Sequence, residues 1–318
     1  MRPEQVTAPT RPTMSAIIPT KNRPGLLANV VSCLLAQTVP VDELIVVDQS
    51  DSDHGRALVE ELLASAPPER RPPLTYLRDR AIDGAAAARN VGLDLATMDI
   101  VICIDDDMVP EPDVLERLHE HYRGHPEVAA ITPVITNYTP PPFPERLFGA
   151  IFCRGPFRDD RQRVYWNWRR YRGTRLAPVG MLGGGMLSAR REALGGIHFD
   201  RRYRGASVGE DIDLSWALRA RGARLAIATD ARVVHNRAPR PATRYEETLL
   251  TSWGFVFDKH QPKTLGNRLA FRWFVIGVML GAVYASLRSG TLAPLRSLRV
   301  GLRRLRRNYA GSSFLASR

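Results

Sequence analysis

Short apolar runs alternate with amphipathic segments along the first third of the chain. The strand-like runs are SAIIP (15–19), ELIVVD (43–48), PLTYL (73–77) and DIVICI (99–104). Apolar residues recur at helical spacing in the segments between them, which are 23–37, 54–66 and 84–97. Strands rich in Val and Ile that alternate with helices are typical of sheets buried on both faces. The pattern therefore predicts an α/β fold with a mostly parallel sheet and helices on both faces.

Polar residues follow three of these strands at the point where each strand ends. PTKNR (19–23) follows the first strand, DQSDSD (48–53) the second, and DDD (105–107) the fourth. In open α/β sheets, ligands bind in the crevice beyond the carboxyl ends of the strands. We therefore expect these three groups to line one crevice.

The middle of the chain is less regular. Residues 137–180 are rich in Pro, Arg, Tyr and Trp and show no clean periodicity. Either an excursion over the active face or a long surface loop fits this composition. Further on, residues 205–222 predict a loop that enters a helix, and residues 224–236 are strand-like.

Three consecutive carboxylates, Asp105, Asp106 and Asp107, stand where the fourth strand leaves the predicted core. Like charges this close repel each other, which a divalent cation or a proton-transfer site would justify. Mg²⁺ and Mn²⁺ both favour carboxylate oxygens. The alternative is a solvated turn in which an Asp caps the next segment. Asp48 at a neighbouring strand end, and an acidic pair before a later helix (210–211), favour a site.

Six motif-like segments follow one another along the chain in a specific order. They are IIPTKNRPGLLANVVSCLLAQ, ELIVVDQSDSD, GAAAARNVGLDLA, ICIDDDMVP, GGGMLSAR and GEDIDLSWAL. No single segment is specific, but six in this order are. From about Ser15 to about His235, the chain resembles glycosyltransferase family 2, inverting enzymes of the GT-A fold. The resemblance implies a Rossmann-like sheet and the transfer of a sugar from a nucleotide diphosphate.

The resemblance also implies a set of donor-binding residues. Pro19, Thr20 and Arg23 would shape the floor of the nucleotide site. Asp48 would accept a hydrogen bond from a base N–H, which uracil and thymine both offer, so a UDP- or dTDP-sugar is expected. Arg89 would face the base or the diphosphate. The alternative for Arg89 is an arginine on the helix surface.

A Mn²⁺ or Mg²⁺ ion that bridges the diphosphate is the cofactor that the resemblance implies. Asp107 would hold this ion, with Asp105 and His235 as further ligands, and the ion would offset charge on the leaving group. Asp105 and Asp106 would also contact the nucleotide-sugar. The sequence leaves open whether Asp106 or Asp107 is the closer metal ligand, and His235 has a purely structural alternative.

On the acceptor side, the resemblance makes Asp211 the general base and Glu210 its neighbour. The alternative is an acidic pair that is stabilised by the helix dipole, and the two interpretations are compatible. Gly183, Gly184 and Gly185 would let the backbone approach the donor sugar or the acceptor closely, unless they form only a flexible turn.

Two departures from the processive members of the family predict a single-transfer enzyme. No Q-x-x-R-W motif follows Asp211, and TRYEETLLTSW (243–253) occupies the comparable region without matching it. The sequence also lacks a bundle of transmembrane helices that would carry a growing polymer. The expected acceptor is a hydroxyl of a saccharide or of a lipid-linked precursor of a surface glycan.

The net charge of +12 is concentrated at the C-terminal end of the chain. No acidic residue follows Asp258, and residues 259–318 hold twelve Lys and Arg. The remaining residues are neutral by count, with 33 basic and 33 acidic side chains. A basic tail on a neutral body predicts attraction to an anionic surface, either a membrane or a nucleic acid.

Two features of this tail favour a membrane. The uncharged run Trp273–Leu287 has 15 residues, fewer than the roughly 20 that a spanning helix needs. Arginines separate four leucines at helical spacing beyond it, which is typical of an interfacial helix; these are Leu295, Leu298, Leu302 and Leu305. The alternative is a solvated charged helix. We expect peripheral or monotopic attachment to the cytoplasmic face of the cell membrane. We also expect the chain to keep its fold when cut after about residue 265.

Three other functions are compatible with parts of the sequence. A nucleotidyltransferase of related fold would carry a Gly-rich, basic signature after the first strand, but PTKNRPGLL (19–27) has a single Gly. A nucleic-acid-binding protein would use the arginines of residues 296–307, although their leucine spacing makes nucleic acid a partner that we do not expect. A catalytically inactive membrane scaffold would not need the intact acidic set.

The cysteines and the N-terminal segment complete the predicted organisation. Cys33, Cys103 and Cys153 form no CxxC pair, so we expect reduced thiols in a cytosolic protein. The polar, Pro-rich segment 1–13 lacks the apolar region of a signal peptide and is predicted to be disordered. We therefore expect a disordered segment 1–13, a glycosyltransferase domain 14–258 and a basic, partly apolar helical tail 259–318.

Overall fold

A computed structural model describes residues 11–171, 175–203, 209–236 and 245–309. The strands are β1 (Met14–Thr20), β2 (Glu43–Asp48), β3 (Leu74–Arg78), β4 (Ile100–Ile104), β5 (Met108–Pro110), β6 (Val128–Ile135), β7 (Leu176–Val179), β8 (Met186–Arg190) and β9 (Arg224–His235). The helices are α1 (Pro24–Leu35), α2 (His54–Ser65), α3 (Ala85–Leu95), α4 (Val114–Gly124), α5 (Phe143–Phe152), α6 (Arg161–Asn167), α7 (Arg191–Leu194), α8 (Glu210–Ala220), α9 (Tyr245–His260), α10 (Leu265–Ser289) and α11 (Ala293–Tyr309).

The first four predicted strands form the parallel half of the sheet, in the order β3-β2-β1-β4. Every residue of β1 and of β4 is buried, as expected for strands with helices on both faces. The predicted helices between them are confirmed as α1, α2 and α3, with ends that shift by one or two residues. Thr13, within the segment predicted to be disordered, hydrogen-bonds Asp99, and residues 1–10 lie outside the described residues.

The other half of the sheet is mixed. β8 lies antiparallel between β4 and β6, β6 pairs with β9 in parallel, and the short β5 and β7 pair antiparallel with β9. The parallel arrangement that the alternation predicts therefore holds from β3 to β4, whereas the whole sheet is an α/β sheet of mixed direction. The insertion of β8 beside β4 brings the glycines before β8 next to the carboxylates after β4.

Residues 137–171 form short helices instead of a long loop. They contain α5, a short helical turn at Gly155–Phe157, α6 and a second turn at Trp168–Tyr171. Phe157 is buried and stacks on Phe274 at a centroid distance of 4.8 Å and on Phe257 at 5.1 Å. This segment is therefore anchored to the C-terminal helices, and α6 reaches the crevice from there.

The apolar C-terminal segment is longer than the sequence pattern predicts. α10 covers 25 residues, because the helix begins before Arg268 and Arg272, which interrupt the apolar run. Among the described residues, α10 is the helix that is long and apolar enough to cross a membrane. α11 turns back at Gly290 and packs against α9 and α10. α9 itself runs across the predicted domain boundary at residues 258 and 259.

Candidate active site

The crevice at the carboxyl ends of β1, β2 and β4 brings the predicted residues together. Thr20 and Asp48 are paired neighbours at the ends of β1 and β2, one position after the pair of Pro19 with Val47. The backbone N–H of Asp105, directly after β4, donates a hydrogen bond to the carbonyl oxygen of Gly185 at 2.8 Å. The N-terminus of α8 lies at the same edge, because one arginine contacts both this helix and Asp105.

That arginine is Arg89, which is almost completely buried. Its guanidinium donates to Asp105 at 2.5 Å and to Glu210 at 3.2 Å. Burial alone would lower the pKa of Arg89, but the two carboxylates outweigh it and raise that pKa. The alternative of an arginine on the helix surface is therefore wrong. Arg89 joins the end of β4 to the start of α8 and keeps two carboxylates of the crevice close together.

Asp106 faces the end of β1. It is buried and accepts hydrogen bonds from the Thr20 hydroxyl at 2.7 Å and from the Arg23 guanidinium at 3.2 Å. Burial raises the pKa of Asp106, and these two donors oppose the rise. Asp106 therefore fastens the end of β1 to the end of β4.

Asp107 turns toward β9. Its Oδ1 lies 3.2 Å from Nε2 of His235, and this buried oxygen accepts no hydrogen bond of good geometry from the described residues. Burial acts to raise the pKa of Asp107, but His235 and Arg23 outweigh it and lower that pKa. The Tyr138 hydroxyl lies 3.3 Å from Nδ1 of His235 and orients the ring. The three adjacent carboxylates thus point in three directions.

Asp48 is held firmly at the end of β2. It is fully buried and accepts hydrogen bonds from the Tyr76 hydroxyl at 2.7 Å and from the Ser50 backbone N–H at 2.8 Å. Burial, and then Asp48 itself, raise the pKa of Tyr76, so this hydroxyl stays protonated and donates a hydrogen bond to Asp48. A further partner of Asp48 would have to use the remaining lone pairs of the carboxylate.

The glycine segment before β8 is tightly packed. A Cβ on Gly183 would lie 2.3 Å from the Tyr165 hydroxyl oxygen, and one on Gly185 would lie 2.8 Å from the Met108 sulfur. A Cβ on Gly184 would meet Cβ of Asp211 at 3.3 Å. These contacts leave little room for any side chain at the three positions. The segment therefore lies in close contact with its neighbours, which a merely flexible turn would not require.

Asp211 stands in the first turn of α8, where the helix dipole favours negative charge. Gly209 precedes the helix with φ +105°, a conformation that an L-residue with a side chain rarely adopts. Oδ1 of Asp211 accepts from the Ile212 N–H at 2.9 Å, and Oδ2 accepts from Arg161 at 2.8 Å. The residue is thus fixed at the edge of the crevice where α8 begins, beside Gly184.

Arg161 is the main site residue that sequence reasoning missed. It is the first residue of α6 and also donates to the Leu182 carbonyl at 2.6 Å and to Asp159 at 2.8 Å. Burial acts to lower the pKa of Arg161, but Asp159 and Asp211 raise it well above its usual value. Only the spatial closeness of residues 161 and 211 identifies this pair, because residues 137–180 carry no periodic signal.

Comparison with known proteins identifies the family. The model of the family described as glycosyl transferase family 2 matches residues 15–194, more than half of the chain. The chain belongs to glycosyltransferase family 2. The family that the sequence segments predict is therefore confirmed, and five of the six segments lie within the matched residues. Membership of this family decides against a nucleotidyltransferase.

Curated relatives match less than half of this family 2 glycosyltransferase. The glucosyl-dolichyl phosphate glucuronosyltransferase of Haloferax volcanii is 29% identical over 133 residues, which cover 39% of this chain and 39% of that protein. An uncharacterized glycosyltransferase of Nostoc sp. is 30% identical over 110 residues, which cover 35% of this chain and 33% of that protein. The chain thus spans about two fifths or less of the length of these relatives.

A solved structure covers nearly the whole chain. A mannosyltransferase from Pyrobaculum calidifontis, in complex with GDP-Man and Mn²⁺, aligns with a TM-score of 0.58 at 19% identity over 96% of this chain and 85% of that one. This likeness shows the GT-A fold, including the region of the C-terminal helices.

The side chains of this family 2 glycosyltransferase fit a divalent cation in part. Oδ1 of Asp107, buried and without a good hydrogen bond, and Nε2 of His235 are two adjacent ligand atoms of suitable type. In the described ranges, no three His, Cys, Asp or Glu side chains form a complete metal site. A cation here would therefore need oxygen ligands from outside the chain, and diphosphate is the usual source of them.

Proposed function

We propose that this protein is an inverting, non-processive glycosyltransferase. It transfers one sugar from a nucleotide diphosphate sugar to a hydroxyl of a saccharide or lipid-linked acceptor. This transfer takes place at the cytoplasmic face of the cell membrane, as a step in the synthesis of a surface glycan. In this proposal, the predicted glycosyltransferase domain 14–258 carries the site, and the tail 259–318 serves membrane association.

The position of the glycine segment carries the proposal. Gly185 accepts the hydrogen bond from the Asp105 backbone, and a Cβ on Gly184 would lie 3.3 Å from Cβ of Asp211. A donor that is bound near Asp105 and an acceptor that is bound near Asp211 would therefore meet across these glycines. Inversion in one displacement needs this arrangement, because the acceptor attacks from the side opposite the leaving diphosphate.

Asp211 acts as the general base on the acceptor side. Each of its oxygens already accepts one hydrogen bond, from Arg161 and from the Ile212 N–H. A carboxylate oxygen has two lone pairs, so each oxygen still has room for an acceptor hydroxyl. Arg161 keeps the carboxylate oriented, and Asp211 takes the hydroxyl proton as the new glycosidic bond forms. Glu210 supports this geometry through Arg89.

On the donor side, Asp107 and His235 would hold a Mn²⁺ or Mg²⁺ ion, and Asp105 would join them if it turned from Arg89. Bound there, the ion would stabilise negative charge on the departing diphosphate. Asp48 is the proposed partner of a base N–H in a UDP- or dTDP-sugar, and the base would have to displace the groups that bury this carboxylate. Pro19, Thr20 and Arg23 would form the floor beneath the nucleotide, and Asp106 would hold that floor in place.

Membrane attachment supports a lipid-linked acceptor. α10 is long and apolar, and all the excess positive charge of the chain follows Asp258. The relative from Haloferax volcanii is named as acting on a glucosyl-dolichyl phosphate. The helical turn at Gly155–Phe157 connects the C-terminal helices to Arg161 and so to Asp211. An acceptor that approaches along the membrane would therefore reach the side of the site where the base lies.

A donor screen with the purified protein tests the proposal. Nucleotide sugars are offered one at a time with Mn²⁺, and the release of nucleoside diphosphate is measured. We expect one donor to be turned over, with loss of turnover in excess chelator. NMR of the product from a matched acceptor should show the anomeric configuration opposite to that of the donor. Retention of configuration, or full activity in chelator, would contradict the mechanism.

A further inference from the structure

Exposed apolar side chains are concentrated on two helices. Twelve of the seventeen large hydrophobic residues that are exposed in the described part of the chain lie on α5 and α10. Soluble proteins rarely expose apolar patches of this size unless the patch binds something. We use the name α5–α10 face for the surface centred on Phe143, Leu147, Ile151, Ile276, Leu280 and Val283.

The two helices form one continuous face. Phe152 of α5 packs on Trp273 at a centroid distance of 5.1 Å, and the Trp273 indole N–H donates to the Ile151 carbonyl at 2.9 Å. Gly277 lets them approach this closely, since a Cβ there would lie 2.5 Å from the Phe152 ring. The opposite side of α10 is buried in the aromatic cluster around Phe157. Only the outer side of the pair is therefore available to a partner.

The packing of α11 argues against a membrane-spanning α10. Arg304 of α11 pairs with Glu247 of α9 at 2.7 Å, and the Ser297 hydroxyl accepts from the Glu247 N–H at 3.0 Å. α9 precedes α10 and α11 follows it, so both ends of α10 stay on the same body. A hairpin that crossed and returned would put the arginines of α11 in the hydrocarbon, which is strongly unfavourable.

The leucines of α11 are not the membrane-contacting surface that the sequence pattern predicts. Leu298 and Leu305 are 7% and 2% exposed, because this side of α11 packs into the protein. The arginines on its outer side remain exposed, namely Arg296, Arg299, Arg303, Arg306 and Arg307. α11 therefore offers positive charge, whereas the large apolar surface belongs to α5 and α10.

We propose that the α5–α10 face lies flat in one leaflet of an anionic lipid bilayer as a monotopic anchor, with the arginines of α11 binding lipid headgroups. This inference rests on the proposed membrane location and specifies its surface. An apolar helix face enters the acyl boundary to a depth of about 5–10 Å. Each arginine near an anionic leaflet adds on the order of 1 kcal/mol of attraction, screened by salt. An anionic bilayer matches both the apolar surface and the charge.

Vesicle binding by variants of the full chain tests the anchor. The probe is vesicles of equal parts phosphatidylcholine and phosphatidylglycerol, and the measurement is the partition of protein by flotation. The triple variant Leu147→Gln, Ile276→Gln and Leu280→Gln keeps the net charge and changes exposed positions only. We expect its partition coefficient to fall by at least about tenfold, because each change removes apolar burial in the bilayer.

Matched controls distinguish an effect of the α5–α10 face from a general effect of replacing exposed apolar residues. Leu95→Gln on α3 and Leu77→Gln on β3 replace similarly exposed apolar residues away from the face and from α11. We expect these variants to bind within about twofold of wild type. Donor turnover in the absence of vesicles should survive in the triple variant. If every protein, including wild type, turns over no donor, the proposed enzymatic function fails, while the vesicle result still decides the anchor.

Topology and self-association give two further outcomes. Thr291→Cys, in the exposed turn between α10 and α11, should react with an impermeant maleimide added outside sealed vesicles, above the wild-type background. Protection of this thiol would mean that α10 crosses the bilayer and would overturn the proposal. The proposal is also overturned if the triple variant binds vesicles like wild type. A change from oligomer to monomer without loss of vesicle binding would instead assign the face to a second copy of this chain.

Discussion

Each of the three adjacent carboxylates at the end of β4 has a different partner. Asp105 faces Arg89, Asp106 faces Arg23, and Asp107 faces His235. Separate partners, two of them arginines, explain how the chain tolerates three like charges in sequence. They also separate the functions of the three residues, because Asp106 is buried against Thr20 and Arg23 and Asp107 keeps an oxygen without a good hydrogen bond.

This difference predicts opposite behaviour of two neighbouring variants toward metal. Asp107→Asn should raise the Mn²⁺ concentration needed for half-maximal activity by at least about tenfold, because even partners of metal ligands have effects of this size. Asp106→Asn should lower activity without moving that concentration, since it loosens the contacts to Thr20 and Arg23. Titration of donor turnover with Mn²⁺ measures both. A shift in Asp106→Asn and none in Asp107→Asn would reverse the assignment.

Asp211→Asn should affect the chemical step far more than donor binding. The amide keeps the size of the side chain and can still accept from Arg161, but it cannot take a proton. We expect kcat to fall by about 10²–10⁴-fold, the usual scale for a general base, with little change in the KM for the donor. Steady-state kinetics with a matched acceptor give both values.

The control for this variant is Glu192→Gln, an exposed carboxylate of α7 outside the crevice. It should leave kcat unchanged within about twofold, because isolated surface charges contribute little. If Asp211→Asn turns over at the wild-type rate, the base lies elsewhere. Glu210 would then be the next carboxylate to test, since it sits in the same turn of α8.

At the level of whole elements, the sequence predicts local structure well where the pattern is strong. The strands ending at Thr20 and Asp48 are continuous apolar runs, and Pro24 marks the start of α1. The residue sets at their ends were predictable because parallel strands end at one edge. The burial of Arg89 was not predictable, because helix α3 is rich in alanine and gives no strong sign of which side faces inward.

Pairings between segments that are distant in the chain could not be predicted from the sequence. β8 runs antiparallel to β4, and nothing local to Met186–Arg190 fixes that direction. α6 places Arg161 against Asp211 across 50 positions of chain, through helices too short to show a period. The length of α10 was missed for a different reason, since Arg268 and Arg272 break the apolar run but not the helix.

A second long-range contact ties the helix of the proposed base to the C-terminal helices. Asp213 of α8 is buried and accepts from Lys259 at 2.8 Å and from His260 at 2.6 Å, both at the end of α9. Asp213→Asn should lower the free energy of unfolding by about 2 kcal/mol, the usual loss for a charged hydrogen bond. The melting temperature, measured by calorimetry, should fall by about 4 °C.

Asp94→Asn is the matched control, because Asp94 also pairs with a histidine, Nε2 of His198, at 2.7 Å. That pair is exposed, so its loss should cost no more than about 0.5 kcal/mol. Equal effects of the two variants would mean that the contact between α8 and α9 adds nothing beyond an ordinary surface pair. A larger effect of Asp213→Asn would show that α9 stabilises α8, the helix that carries the proposed base.

At the scale of the whole molecule, the chain after residue 258 is distinct in charge but not in packing. Its twelve basic residues make it the entire source of the net charge. Yet Phe271 and Phe274 of α10 are buried beside Phe157, Trp253 and Phe257. A segment can therefore attract an anionic surface and still complete the core of the enzyme.

This packing changes what truncation is expected to do. The charge pattern alone predicts that a chain cut after about residue 265 would leave the membrane and keep its fold. The structure predicts instead that the cut removes Phe271 and Phe274 from the aromatic cluster and uncovers Leu250, against which α11 packs. Loss of one buried Phe side chain typically costs about 3–5 kcal/mol, whereas whole proteins are stable by about 5–15 kcal/mol. We therefore expect the shortened protein to aggregate or to melt without a cooperative transition, as followed by expression in the soluble fraction and by calorimetry.

A chain cut after residue 309, which keeps α11, should melt like wild type. A soluble, cooperatively melting and donor-hydrolysing protein that ends at residue 264 would show that α10 and α11 are dispensable for the fold.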